Sequence, residues 1–213
     1  MLPPVEGARS RSDEAYLRIR DLIVSLELPP GSIVNERELM ERLGLGRTPV
    51  REALRALAQE RLVEVYPRRG IFVSSVDVGD LASLSEVRAV LESHAARLAA
   101  ERATKEERDE AGGLIDELDR SLSARELIEL DQRIHRHVYR CAHNAFLEKT
   151  LNEYYVLTLR IWFLALDRVA RLDDAVREHR QLMSAIRDGD GDQAEESMRR
   201  HVLGFERAIR NVL

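Results

Sequence analysis

The chain has 213 residues, of which 44% are apolar and 33% are charged, and its formal net charge is −5. This length suits two domains better than one helical domain, and the balance is typical of a soluble globular protein. No apolar run approaches the roughly 18 residues that span a bilayer, and no signal segment opens the chain. The single Cys141 can form no internal disulfide. We therefore expect a cytoplasmic protein without a membrane partner.

The N-terminal part begins with a tail and one helix. Residues 1–10 contain Pro3, Pro4 and Gly7, which predicts a flexible tail. Helical periodicity then predicts a first helix over residues 12–27, because Pro29-Pro30-Gly31 follows and stops it.

Two short helical patterns come next and meet at a turn that contains Gly44. Leu39 and Leu43 form the apolar side of the first pattern, and glycine tolerates the positive φ that a helix end favours. Because Thr48 precedes Pro49, we expect the Thr48 hydroxyl to cap the second helix and Pro49 to take its first position. This order of elements is typical of a helix-turn-helix.

Basic side chains gather at the start of the second helix. Arg47, Thr48 and Arg51 lie there, and a planar guanidinium suits a phosphate or a guanine edge because it donates two parallel hydrogen bonds. A solvated arginine-rich face is the alternative interpretation. Since residues 1–76 carry 12 arginines against 11 acidic residues, DNA affinity must depend on where the arginines sit and on the presence of two copies.

A hairpin with a basic tip completes this part. Two β-branched runs, residues 62–66 and 71–75, flank Pro67-Arg68-Arg69-Gly70. A helix-turn-helix followed by such a hairpin predicts a winged helix-turn-helix DNA-binding domain over residues 11–76.

Beyond Val76 the strand-like residues disappear and helical periodicity continues almost to the end. Helix-start signals of the capping-box type occur at Thr104, Ser123 and Asp192, each followed three residues later by glutamate. We expect six helices near residues 80–103, 105–121, 124–142, 145–168, 172–188 and 192–211. The predicted fold class is therefore mainly α, an N-terminal winged helix-turn-helix with a small β hairpin followed, over residues 77–213, by an antiparallel all-α six-helix bundle.

One group of residues in the bundle indicates metal binding. Asp131 and His135 stand four apart on one predicted helix, and His179 and His201 lie on later helices that a bundle can bring to the same interior point. Three imidazoles and a carboxylate suit a divalent metal ion such as zinc, and also nickel or manganese. A metal-dependent hydrolase that uses these residues is one alternative, and a purely dimerising bundle with histidines in its core is another. His137, two positions from His135, is expected on a solvated face.

The N-terminal motif resembles the GntR family of bacterial transcription regulators. The similarity covers roughly residues 12–76 and rests on the order ERELMERLGLGRTPVREALRALAQERLV followed by PRRGIFV. It implies operator contacts in the major groove of double-stranded DNA by Arg37, Arg47, Thr48 and Arg51, and a position along the minor groove for Gly70 at the wing tip. Arg61 stands where the family usually has glycine, which predicts a non-glycine residue in a helix-ending conformation.

The bundle is similar to the FCD domain of the FadR-like branch of this family. The similarity rests on Glu86-Val-Arg88, Asp131-x-x-x-His135, Glu178-His179 and Met198-x-x-His201. It implies that Asp131, His135, His179 and His201 hold a divalent metal ion at the floor of an effector pocket. Six helices and a short chain look like the VanR-type subgroup.

The resemblance also indicates the effector, since the family favours organic acids and sugar acids. Arg88 is the candidate bidentate partner of a small carboxylate and Asn144 a candidate donor. Each has a second interpretation, Arg88 as an ion-pair partner of Glu92 and Asn144 as a left-handed helix stop. Four aromatic residues are predicted to form core and dimer surface rather than a cofactor site, namely Tyr154, Tyr155, Trp162 and Phe163.

A homodimer would present two identical recognition helices to a palindromic operator. We therefore expect a DNA-binding transcriptional regulator, a repressor, whose operator affinity a carboxylate effector modulates. We do not expect an enzyme.

Overall fold

The computed structural model describes residues 10–76, 79–118, 123–165 and 172–212. The chain forms two compact units, one of residues 1–77 with 159–164 and one of residues 78–158 with 165–213. Within the described ranges, helices are either too short or too polar to cross a bilayer. The expected tail falls largely on residues 1–9, which lie outside the described ranges.

The first unit is a three-helix core with a two-stranded hairpin. Its elements are α1 (Arg11–Val24), α2 (Glu36–Leu43), α3 (Arg47–Gln59), β1 (Val63–Tyr66) and β2 (Gly70–Val73). The strands pair antiparallel, from Val63 opposite Val73 to Tyr66 opposite Gly70. Helix α1 packs against α3, and Ile19, Leu54 and Leu57 are buried between the elements.

The turn between α2 and α3 has the predicted glycine but a different helix start. Gly44 ends α2 with φ 66°. Helix α3 begins at Arg47, after Gly46, and no side chain caps it. The expectation that Thr48 caps α3 and that Pro49 opens it is wrong. Pro49 is accommodated inside the first turn because the N–H groups of that turn have no helical acceptor, so the missing donor costs nothing there.

Arg61 adopts the left-handed backbone expected of it. Its φ is 61°, directly after α3, where the chain turns into β1. The backbone N–H of Leu62 then donates to the carbonyl of Leu57 at 2.9 Å. The hairpin therefore leaves α3 through a strained residue instead of a glycine.

The second unit is helical. Its elements are α4 (Asp80–Arg102), α5 (Lys105–Leu118), α6 (Ala124–Cys141), α7 (Ala145–Ala165), α8 (Leu172–Asp188) and α9 (Gly191–Arg210), of which α7 contributes residues 159–164 to the first unit. Helix α4 packs against α9, α6 and α8, and α5 packs against α8 and α6. The mainly α fold class with a winged helix-turn-helix and a helical C-terminal part is confirmed. The expected ends of α5 near 121 and of α7 near 168 lie outside the described residues.

Two of the three predicted capping boxes are present. Glu107 accepts from the Thr104 N–H at 2.8 Å, and Ser123 and Glu126 cap each other's backbone N–H groups. The third prediction, at Asp192, is wrong, because Asp190 is the cap of α9 and accepts from Gln193 N–H at 3.0 Å. Gly189, with φ 78°, ends α8 so sharply that Asp192 is already inside α9.

Gly189 gives a test of this turn. A Cβ on it would lie 2.9 Å from Arg108 Nη1, and the Arg108 guanidinium is fixed by the carbonyl oxygens of Ala100, Ile186 and Arg187. We expect Gly189→Ala to lower the free energy of unfolding by about 1–3 kcal/mol, since alanine also disfavours this φ. Urea unfolding measures the change. The control Gly112→Ala, in the helical and open environment of α5, should stabilise by about 0.5–1 kcal/mol, and equal effects of the two would contradict the role of the turn.

Candidate functional site

The start of α3 is exposed, while its opposite face forms core. Arg47, Thr48 and Arg51 are exposed, whereas Val50 and Leu54 are at most 1% exposed. Apolar residues at helical spacing fix which side of α3 faces inward. The basic N-terminal end of this helix is therefore accessible to a large ligand.

Two of the basic side chains near this end are paired with carboxylates. Arg51 Nε lies 2.8 Å from Glu36 Oε2, an ion pair that joins α3 to the start of α2. Arg37 Nε lies 2.9 Å from Glu41 Oε1 on α2 and is largely exposed. Both pairs are accessible to water, so they orient the guanidinium groups at little net energy. Gly70, with φ 107°, is exposed at the start of β2.

The four predicted metal ligands converge inside the second unit. Helix α6 supplies Asp131 and His135 from one face, α8 supplies His179, and α9 supplies His201. One ligand atom from each residue lies within 4.8 Å of the others, and all four residues are buried. The i, i+4 spacing on α6 and the packing of α8 against α6 and α9 produce this arrangement.

The Nε2 atoms of the three histidines face one carboxylate oxygen. Asp131 Oδ1 lies 3.1 Å from the Nε2 atom of His179, 3.6 Å from that of His201 and 3.8 Å from that of His135. The Nε2 atoms of His135 and His201 are 3.2 Å apart. Ligand atoms around a tetrahedral zinc ion, with bonds of about 2.0–2.1 Å, are separated by about 3.3 Å. These four separations, 3.1–3.8 Å, are close to that value.

The protonation states favour metal ligation. Burial by itself raises the pKa of Asp131, but His135, His179 and His201 overcome it and hold that pKa far below its usual value. Burial and the neighbouring His179 lower the pKa of His201 to about 4. Near neutral pH, Asp131 is therefore a carboxylate and His201 a neutral imidazole, which are the forms that bind a metal ion.

Three of the four ligands also have partners on the side away from the centre. Glu92 Oε2 lies 2.9 Å from His135 Nδ1, and Glu178 Oε2 lies 3.3 Å from His201 Nδ1. The Tyr155 hydroxyl donates to Asp131 Oδ2. Such outer partners are usual around protein metal sites, because they fix the ring orientation and the tautomer of a ligand.

Two observations test whether a divalent cation suits the centre. His179 Nε2 is buried and lies 3.1 Å from Asp131 Oδ1, yet it forms no hydrogen bond with any residue that the structure describes. His135 and His201 both direct Nδ1 at a carboxylate, which places two Nε2 lone pairs against each other. Both arrangements are unfavourable in an apolar interior unless a cation lies between the nitrogens. The residues present therefore fit a bound divalent ion.

Arg88 is held within the protein next to this centre. It is 2% exposed, its Nε lies 2.5 Å from Glu92 Oε1, and its Nη1 donates to Thr158 Oγ1 at 2.9 Å. Its guanidinium carbon also lies 5.7 Å from the centre of the Tyr155 ring. The structure thus shows the ion pair with Glu92 that the sequence left as one of two interpretations.

Asn144 and His137 differ from the sequence-based expectations. Asn144 is not a left-handed helix stop, because His143 has the positive φ of 48° and Asn144 Oδ1 accepts from Leu147 N–H at the start of α7. His137 is not on a solvated face, since it is 2% exposed and its Nδ1 lies 3.1 Å from Arg140 Nη2. Helix α6 is covered on more than one side, by α4, α5 and α8, so a residue off the metal-facing side can still be buried.

The sequence did not assign Glu92, Tyr139 or Tyr155 to the centre. The Arg88–Glu92 spacing indicated an ion pair, but nothing in it pointed to His135 on another helix. Tyr155 is buried, as the sequence predicts for a core residue, but its hydroxyl also reaches Asp131, which the sequence does not indicate. The Tyr139 hydroxyl, 3.1 Å from His135 Nδ1, had no signal beyond its i, i+4 spacing from that residue.

Fold and site together define a two-part protein, with a winged helix-turn-helix in one unit and a buried group of metal-ligand candidates in the other. Sequence models of two families match it, "Bacterial regulatory proteins, gntR family" over residues 11–73 and "FCD domain" over residues 83–204. The chain belongs to the GntR family and carries an FCD domain.

Individual relatives agree with this assignment. The chain is 34% identical over 202 residues, 92% of its length and 84% of the relative's, to an uncharacterized HTH-type transcriptional regulator of Streptomyces ambofaciens. It is 32% identical, over 88% of its length and 85% of the relative's, to a probable D-xylose utilization operon transcriptional repressor of Paenarthrobacter nicotinovorans. The solved structure of Escherichia coli McbR/YncC has the same fold, with a TM-score of 0.82 at 19% identity over 95% of this chain and 98% of that one. The protein is a DNA-binding transcription regulator.

Proposed function

We propose that the protein is a homodimeric repressor that releases its operator when a small organic acid or sugar acid binds beside a divalent metal ion. In this proposal residues 11–76 bind DNA, and residues 77–213 bind the effector and dimerise. The subgroup we propose is the VanR type, which is consistent with six helices among the described residues after position 79.

Operator recognition is assigned to five residues. They are Arg37, Arg47, Thr48, Arg51 and Gly70. All are exposed, and three of them lie in the first turns of α3, the part of a recognition helix that reaches base edges. Arginine at such a position donates two hydrogen bonds to guanine, while a glycine at the wing tip permits close approach to the backbone of the duplex.

Metal binding is assigned to Asp131, His135, His179 and His201. The observation that carries this assignment is the buried His179 Nε2, which has no hydrogen bond among the described residues although it lies 3.1 Å from Asp131 Oδ1. Zinc suits three nitrogens and one oxygen, and nickel or manganese are alternatives. A bound divalent ion would supply a Lewis-acidic position for a carboxylate oxygen.

The effector is assigned by the chemistry around the ion. A carboxylate is the natural ligand of a cation in a desolvated site, and Arg88 beside the centre has five N–H donors, of which Nε pairs with Glu92 and one on Nη1 with Thr158. The side-chain amide of Asn144 is the other proposed contact. In this proposal the dimer has two arrangements, one that binds the operator and one that releases it. The effector can change operator affinity only to the extent that it binds one arrangement more tightly than the other.

Dimerisation is supported by apolar side chains that α4 leaves exposed. Val87 and Val90, on one side of that helix, are 42% and 62% exposed. Two copies joined by a two-fold axis would present two recognition helices to a palindromic duplex. Sedimentation equilibrium measures the oligomeric state, and a monomer at micromolar concentration would contradict the proposed dimer.

A thermal-shift series tests the effector assignment. Purified protein loaded with zinc would be mixed with malate, citrate, gluconate or xylonate, and with D-xylose as an uncharged control suggested by the Paenarthrobacter relative. We expect one carboxylate at about 100 times its Kd to raise Tm by about 5–10 °C, because ligand binding stabilises by mass action. The same compound should weaken operator binding by about 5- to 150-fold.

Chelation provides the control for this series. Both effects should vanish when EDTA removes the metal ion, and they should return when zinc is restored. A carboxylate that acts equally with and without EDTA would show that the effector site does not use the metal centre.

A further inference from the structure

The outer side of His135 is formed by α4, a helix that supplies no metal ligand. Glu92 on that helix is fully buried, and its Oε2 lies 2.9 Å from His135 Nδ1. Its other oxygen, Oε1, lies 2.5 Å from Arg88 Nε. One buried carboxylate therefore contacts both a metal-ligand candidate and a buried guanidinium.

We propose that Glu92 is a positioning residue, fixed by Arg88, that holds His135 in the tautomer whose unprotonated Nε2 faces the metal ion. The inference rests on the proposed metal site. It assigns to the Arg88–Glu92 pair a role in tuning metal affinity, in addition to the effector contact proposed for Arg88.

Glu92 can select the tautomer because a carboxylate only accepts hydrogen bonds. A proton on His135 Nδ1 faces an acceptor, whereas a lone pair there would face the negative charge of Glu92. The hydrogen bond of His135 Nδ1 is with the Tyr139 hydroxyl, at 3.1 Å, whereas Glu92 Oε2 lies 2.9 Å from this nitrogen without a hydrogen bond among the described residues. A hydroxyl donates as readily as it accepts and selects neither tautomer, so the negative charge of Glu92 is what favours a proton on Nδ1. Glu92 is therefore the neighbour that decides which ring nitrogen is free for the metal ion.

Arg88 fixes the carboxylate that does this. Its side chain is held at three places, by Glu92, by Thr158 on α7 and by the ring of Tyr155. Tyr155 in turn donates to Asp131, so the same group of side chains orients two of the four metal ligands. A charge-assisted pair with both members buried holds its geometry more rigidly than an exposed pair.

The first experiment measures zinc affinity by competition with a chromophoric chelator. We expect Glu92→Gln to bind zinc about 10- to 100-fold more weakly than the wild type, the usual effect of losing an outer partner of a metal ligand. Glutamine donates as well as accepts, so it removes the preference for one tautomer while it keeps the volume. Glu86→Gln, an exposed residue of the same helix, is the matched control and should bind zinc as the wild type does.

A second variant separates positioning from simple charge pairing. Glu92→Gln leaves the Arg88 guanidinium buried without its counter-ion, which by itself could repel a cation or unfold the protein. The double variant Arg88→Met with Glu92→Gln removes both charges. If Glu92 positions His135, the double variant stays about 10- to 100-fold weaker for zinc. Recovery of wild-type affinity would overturn the proposal. Circular dichroism melting confirms that each variant is folded.

The tautomer itself can be read without any metal ion. Long-range proton–nitrogen spectra of protein with ¹⁵N-labelled histidine distinguish a protonated Nδ1 from a protonated Nε2. We expect the metal-free wild type to have His135 protonated at Nδ1 and the double variant to lose this single state. A wild-type His135 protonated at Nε2 would refute the role of Glu92.

The two measurements fail in different ways. If the wild type binds no zinc, nickel or manganese, the proposed metal site is wrong, and the spectra still decide whether Glu92 sets the His135 tautomer. If zinc binds but Glu92→Gln and the double variant bind it as the wild type does, the metal site stands and the positioning role is wrong.

Discussion

We expect Arg47→Ala and Arg51→Ala each to weaken operator binding by at least about 30-fold. A bidentate arginine contact to a base contributes about 1–3 kcal/mol, and a dimer on a palindrome makes each contact twice, so the loss is at least about 2 kcal/mol. Both side chains are exposed at the start of α3, where their removal does not disturb the core. Mobility-shift titration measures the effect on a duplex selected from a randomised library by the wild-type protein.

Two comparisons make this expectation specific. Arg42→Ala removes the same charge from α2, at a residue that pairs with Glu27 and is not among the proposed operator contacts, and should weaken binding much less. Substitution of Arg47 or Arg51 should also weaken operator binding more than binding to a random duplex. Operator affinity that stays unchanged in both variants would rule out α3 as the recognition helix.

We expect His179→Ala to lower zinc affinity by more than the 10- to 100-fold that an outer partner contributes, because it removes a direct ligand. The wild type should carry about one zinc per chain, and zinc at about 100 times its Kd should raise Tm by about 5–10 °C. In His179→Ala this shift should disappear. Metal analysis of the dialysed protein and thermal unfolding give the two readouts.

The metal-free state distinguishes ligation from a structural role of the same ring. His179 Nε2 has no hydrogen bond among the described residues, so its loss removes no such bond in metal-free protein. His94→Ala, an exposed histidine of α4, is the control and should keep the zinc-dependent shift. A His179→Ala protein with the wild-type zinc content would show that the ring is core and not a ligand.

Local patterns in the sequence predicted the first unit well. Gly44 with its positive φ, the buried Leu39 and Leu43, and the hairpin after Arg61 depend on neighbours within a few residues. The start of α3 was the exception. The rule that disfavours helix before proline pointed to a cap at Thr48, but the first turn of a helix tolerates proline beyond its first position.

The metal-ligand candidates were predictable for two different reasons. The spacing of Asp131 and His135 placed them on one face of α6 from the sequence alone. The convergence of His179 and His201 on that face was only one of many arrangements that a bundle allows, and the resemblance to the FCD domain selected it. The structure now brings all four together in a buried cluster.

The surroundings of the centre could not be read from the sequence, because they depend on contacts between helices. Glu92 reaches His135 from α4, and Tyr155 reaches Asp131 from α7. The expectation that His137 lies on a solvated face is wrong for the same reason. Whether a residue of α6 is solvated depends on which helices cover each side of α6. Periodicity describes one helix, whereas these contacts belong to pairs of helices.

Glu36 and Glu41 pair with two arginines that we propose to contact DNA, and this bears on how the regulator searches a chromosome. They are two of the 11 acidic residues that nearly balance the 12 arginines of residues 1–76, so we expect weak attraction to arbitrary duplex and brief encounters. In the proposed operator complex, base and phosphate acceptors would replace these carboxylates as partners of Arg51 and Arg37. We therefore expect the regulator to spend little time on incorrect sequences. Its non-specific DNA affinity would be low, and its preference for the operator over other sequences correspondingly high.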